Sequence, residues 1–188
     1  MLQPWIRLFV VACALAPACA SDPLSYSAPV GINLKAKSSD VSGSAVSDAK
    51  DITSEVGNPF GAFVTQARAK LGGHDPARIE VDNVDLVLGA QSTGVSALDQ
   101  VYTGDVDIAF VMNTSSNTYD VGHVMNPIGV GPVSVDVTFS YAQLAPQDRS
   151  SFIGGMYKVV IRGPAAATFP AAHAEANLQV TLTFAAFE

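Results

Sequence analysis

Val133-Ser-Val-Asp-Val-Thr-Phe-Ser-Tyr141 alternates without a break: Val133, Val135, Val137, Phe139 and Tyr141 fall on one side, Ser134, Asp136, Thr138 and Ser140 on the other. Successive side chains of a strand point to opposite faces, so this run predicts a strand with one face buried and one in water. The C-terminal run repeats the pattern, with Leu178, Val180, Leu182 and Phe184 against Gln179, Thr181 and Thr183. Val106, Ile108, Phe110 and Met112 do the same, and residues 30–35 and 157–162 read as further strands. Residues 79–88 slip phase: Ile79 and Val81 share one face, Val84, Leu86 and Leu88 the other. One extra residue near Asp82-Asn83 repairs the phase, so a β-bulge is predicted there.

A helix is signalled by Asn58 as N-cap, Pro59 at the first helical position and Gly72 just past the end. Phe60, Phe63, Val64, Ala67 and Leu71 form its apolar stripe, and Arg68 and Lys70 suit its C-terminal dipole. Residues 36–57 are serine-rich and read as a long loop pinned by Val41, Val46 and Ile52. Turn chemistry marks residues 113–118, 126–132, 145–148 and 163–164. Strand, turn, strand in succession predicts a mainly β fold: an antiparallel two-sheet β-sandwich, immunoglobulin-like or jelly-roll in type, with one amphipathic helix. Periodicity does not report closure, so a small β-barrel is the alternative.

The first residues have a different logic. Arg7 and the amino terminus precede the apolar run of residues 8–15, and small residues follow at once. That order predicts a signal peptide over residues 1–18 and a protein exported from the cytoplasm, since the run is too short for a permanent span. Ordinary signal peptidase could cut after Ala16-Pro17-Ala18 or after Ala18-Cys19-Ala20. Ala18-Cys19 also resembles a bacterial lipoprotein signal, although Ala16 stands where that pattern prefers leucine. The resemblance implies a lipidated Cys19 as the first mature residue. The only other cysteine, Cys13, lies inside the signal, so Cys19 has nothing to pair with. Residues 19–25 then form a short tether and residues 26–188 a single sandwich domain. By the same resemblance to bacterial lipoproteins, Ala20 and Ser21 carry no inner-membrane retention aspartate, which implies the outer membrane or the periplasm for a lipidated chain, and secretion for an unlipidated one.

Seventeen acidic side chains outnumber ten basic ones in the 188 residues, and the signal removes one of the ten, Arg7. Such a balance repels nucleic-acid phosphate. The single tryptophan, Trp5, also leaves with the signal, so carbohydrate stacking is disfavoured.

Between Arg78 and Arg149 there is no lysine or arginine, yet Glu80, Asp82, Asp85, Asp99, Asp105, Asp107, Asp120 and Asp136 fall there. If the strand carrying Glu80 and Asp82 lay beside that carrying Asp105 and Asp107, like charges would face each other, and a Ca²⁺ ion held by these four carboxylates would relieve them. The competing expectation is a set of solvated residues that keep sheet faces and edges unsociable.

His74, His123 and His173 have no metal-like spacing. Ser47-Asp-Ala-Lys50 matches the Ser-x-x-Lys of penicillin-recognising enzymes, but Ser-Asp-Asn and Lys-Thr-Gly are absent from the sequence. No cofactor fingerprint is present. The expected function is therefore a non-catalytic, lipid-anchored binding or structural component of the cell envelope with a protein or envelope partner. The alternatives are a carrier of an apolar small molecule in a barrel cavity, and an exported hydrolase whose site converges only on folding.

Overall fold

In the computed structural model, which describes residues 24–188 apart from Val56, the C-terminal strand is the axis of one sheet. Strand β1 (Ser25–Lys37) runs antiparallel to strand β9 (Glu175–Phe187) along its whole length, from Ser25 opposite Phe187 to Lys37 opposite Glu175. Ala176, Leu178, Val180, Leu182, Phe184 and Ala186 of β9 are buried, as the alternation requires. Its other neighbour is β3 (Arg78–Leu88), where the register jumps from Val81 opposite Phe184 to Asn83 opposite Thr183. Asp82 is the extra residue. Ile79, Val81, Val84, Leu86 and Leu88 are consequently all buried on one core, so the bulge inferred from the phase slip is present.

The second sheet has the order β2 (Ala45–Ile52), β8 (Tyr157–Pro164), β4 (Val106–Met112), β5 (Thr118–Val124) and β7 (Asp136–Val137). The first is completed by β6 (Val133–Ser134) beside β3. The run of residues 133–141 is thus two short strands, not one. Val133 and Ser134 pair with β3, then the chain crosses at buried Val135 so that Asp136 and Val137 pair with β5. Alternating burial survives the crossing because an inward residue is inward for either sheet.

The serine-rich stretch is also more ordered than its composition suggests: it holds the end of β1, a 3₁₀ turn at Ser38–Asp40 and the whole of β2. Here the chain crosses from one sheet to the other on the opposite flank, where Lys35 N donates to Asp48 Oδ2 at 2.6 Å. The sheets keep separate hydrogen-bond ladders, making a sandwich and not the closed barrel of the alternative reading. Barrel closure would need a continuous ladder around both flanks.

Two helices, where the sequence predicted one, close the same end of the sandwich. In α1 (Pro59–Lys70), Asn58 Oδ1 accepts from Phe60 N at 3.0 Å, and Phe60, Phe63, Val64, Ala67 and the following Leu71 are buried. Helix α2 (Pro146–Ile153) lies where a turn was expected, because its sequence Pro-Gln-Asp-Arg-Ser-Ser-Phe-Ile offers almost no apolar stripe. It is held by Phe152, fully buried among Phe60, Phe110, Phe139 and Tyr157. Ser25, Arg78, Ile52 and Tyr157 mark this helix end, while Lys37, Leu88, Val124 and Pro164 mark the opposite, loop end.

The bulge makes a test. Asp82→Ala keeps the extra residue and should change stability by no more than about 0.5 kcal/mol, as for an ordinary surface substitution. Deleting Asp82 forces one half of β3 to turn its apolar residues outward and should abolish the cooperative urea transition or shift it far lower.

Candidate functional site

The four carboxylates considered for Ca²⁺ do not come together. Glu80 and Asp82 stand on β3 in the first sheet, Asp107 on β4 in the second, and Asp105 just before it. Glu80 is occupied by Tyr141 N, which donates to Oε2 at 2.8 Å, with Arg78 3.8 Å from its other oxygen. Asp107 has Arg162 opposite it on β8 and His123 on β5, and His123 in turn faces Asp136 on β7. Of the four, only Asp107 has a basic residue registered opposite it across the sheet, and Glu80 takes its cation from Arg78 on its own strand. Among the described residues no group of three or more His, Cys, Asp or Glu is placed to hold a metal ion.

The other sequence candidates separate too. Ser47 sits opposite Arg162 on the outer face of β2, while Lys50, three residues on, points to the other face, so the Ser-x-x-Lys pair is split. His74 and His173 are exposed in loops, and His123 stands on β5. Cys19 lies outside the described residues.

One polar centre escaped the sequence reading. Asp148, on the first turn of α2, is fully buried; its Oδ2 accepts from Asn117 Nδ2 and from Tyr119 Oη, both at 2.7 Å. Tyr119 Oη in turn accepts from Ala145 N at 3.0 Å, so the carboxylate ties α2 to the turn between β4 and β5. Its Oδ1 has no partner among the described residues. Burial pushes the Asp148 carboxyl up, but the hydrogen bonds from Tyr119, Asn117 and Ser115 together outweigh it and hold the group below the usual aspartate value. In sequence, Asp148 ends the run 145–148 read as a turn and stands next to Arg149, and nothing in that pattern marks it as buried.

The most exposed apolar side chains gather at the loop end. In the loop 125–132, Met125 is 72% exposed, Ile128 73% and Val130 54%. The backbone beneath them is fixed: Gly129 O accepts from Leu98 N at 2.6 Å, Gly129 N donates to Asp99 Oδ1 at 2.9 Å, and Val130 O accepts from Leu88 N at 2.8 Å. Gly131 has φ +85°, and a Cβ there would lie 2.5 Å from Leu86 O, so only glycine lets the loop lie so close to β3. Beside Ile128 an open cleft of about 180 Å³ is lined by Asp99, Thr103, Gly104, Asn126 and Pro127. What this surface offers is apolar area on a hydrogen-bonded backbone. The sequence reading recognised its turn residues and passed over Met125, Ile128 and Val130 because they follow no helix or strand period.

Two measurements test these assignments. With the four acids on separate sheets, Tm should be the same in EDTA and in millimolar Ca²⁺; a rise with Ca²⁺ would mean that they converge in solution. For Asp148, a depressed folded-state pKa gives stability that is present in full above the unfolded value of about 3.9 and is lost as pH falls through the folded value. Urea midpoints taken from about pH 6 down to about pH 2.5 should therefore fall more steeply for the wild type than for Asp148→Asn, and equal slopes would remove the carboxylate from acid unfolding.

No protein-family model matches the chain, and neither curated proteins nor solved structures give a match, so the assignment of its site rests on its own geometry.

Proposed function

We propose that this chain is an exported, lipid-tethered, non-catalytic β-sandwich that serves as a binding or structural component of the cell envelope. The observation that carries the reading is where β1 begins. Leu24 O accepts from Glu188 N at 3.3 Å and β1 starts at the next residue, at the helix end, so the sandwich begins within six residues of Cys19. A tether that short reaches at most about 20 Å. It would hold the helix end toward the membrane and turn the loop end away from it.

A binding role draws support from the loop end, where apolar surface is held on a fixed backbone. The interior offers the contrasting picture: rings of Phe60, Phe110, Phe139, Phe152, Tyr157 and Phe184 fill the space between the sheets at the helix end. A carrier would need that space for its cargo.

Intact mass of the protein from its producing cells tests the tether. The expected mass is that of a chain beginning at Cys19 with three acyl chains, and Cys19→Ala should move the protein from the detergent phase to the aqueous phase. An unmodified chain beginning at Cys19 or at Ser21 would overturn the lipid-anchored reading.

A further inference from the structure

We infer that the loop 125–132 is a preformed docking knuckle for a protein partner that presents an apolar pocket bordered by lysine or arginine; the inference rests on the binding reading above and gives it a place and a chemistry. Three observations carry it. The loop is rigid and apolar together: Gly129 and Val130 are pinned to Leu98, Asp99 and Leu88, while Met125, Ile128 and Val130 stand in water. A surface loop that only needs to turn has no use for this, whereas a binding element gains affinity from apolar area that needs no ordering on contact. Met125 adds a side chain that adapts to the shape it meets.

Charge selects the partner. The chain has no lysine or arginine from residue 79 to residue 148, and across the sheet Arg162 stands opposite Asp107. Asp99 holds the base of the loop, and Asp105 adjoins Val106, the residue opposite Val124, which places it across from Met125. An apolar tip flanked by carboxylates is complementary to an apolar pocket with a basic rim, and two copies of the same tip would repel.

Position disfavours the membrane as occupant. The loop lies at the far end of the sandwich from Leu24, with the thirteen residues of β1, about 40 Å at 3.3 Å each, spanning the distance. Its carboxylates also oppose an anionic lipid surface.

Photo-cross-linking in the producing cells decides. A benzophenone amino acid placed at position 125 should give one discrete protein adduct, with its attachment point in an apolar peptide bordered by lysine or arginine. In that background Ile128→Ser and Asp105→Lys, both exposed positions that leave Tm unchanged, should each lower adduct yield by roughly tenfold, the effect of losing a central anchor. Adducts to lipid, to a second copy of the chain, or to a peptide without basic residues overturn the inference. The same amino acid at Gln179, on the outer face of β9, separates the two failures: adduct at Gln179 alone overturns the knuckle and leaves the binding reading standing, and no adduct at either position removes both.

Discussion

The structure depends on a knot of aromatic rings at the helix end. Phe110 of β4 lies 5.0 Å from Tyr157 of β8, 5.1 Å from Phe139 and 5.2 Å from Phe152 of α2, while Phe60 of α1 lies 5.2 Å from Phe184 of β9. Both sheets and both helices therefore meet in one cluster. Each ring contributes about 1.5–3 kcal/mol by leaving water, and each well-set pair a further 0.5–1.5 kcal/mol or so. Neither helix has enough apolar surface to fold alone: α1 spends its stripe on this cluster, and α2 has little beyond Phe152 and the Asp148 tie.

A sandwich closed at one end by rings still has two open flanks, and the chain manages them by crossing. On one flank β1 passes into β2, and Asp48 satisfies the outward N–H of Lys35 in place of a ladder partner. Pro29, six residues before Lys35 and so on the same outward register, has no N–H to satisfy. On the other flank β6 and β7 are two residues each, and Glu80 caps the backbone of Tyr141. Carboxylates thus serve as edge fittings: Asp48, Glu80 and Asp99 each accept from a main-chain N–H that no strand supplies with a partner.

Those arrangements explain what could be read from sequence and what could not. Strands buried on one face, β1, β3, β4, β8 and β9, carry period-two patterns because an entire face must be apolar, and the Asp82 bulge was legible as a break in that period. Strand β2 was missed because it is an edge: Val46 and Ile52 are buried, but Asp48 and Lys50, at the same parity between them, face the open flank where charge is tolerated. Strand β5 was missed because a second register shift, at Ile108/Ala109 against Gly122 and Asp120, breaks its alternation at Val121. The acid-rich middle of the chain was visible as an anomaly, yet its resolution, Arg162 opposite Asp107 and Tyr141 N on Glu80, joins residues 55 and 61 apart in sequence. Local pattern carries burial; it does not carry pairing between distant strands.

The two ends of the sandwich differ in a way that packing alone does not require. At the loop end the core is sealed by Leu98, Val101, Tyr102 and Phe169, each at most 2% exposed, with Ala166 N bonded to Val101 O and Thr103 N to Pro164 O. Met125 and Ile128 add nothing to that seal, although burying an isoleucine would contribute about 1.5–3 kcal/mol. A loop that served only to join β5 to β6 could place serine or asparagine at these positions and lose no contact in the core. Their exposure on a backbone held by hydrogen bonds and by the close approach of Gly131 is therefore a property of the surface, and it is greater than that of Leu24 and Met156, the exposed apolar side chains of the helix end.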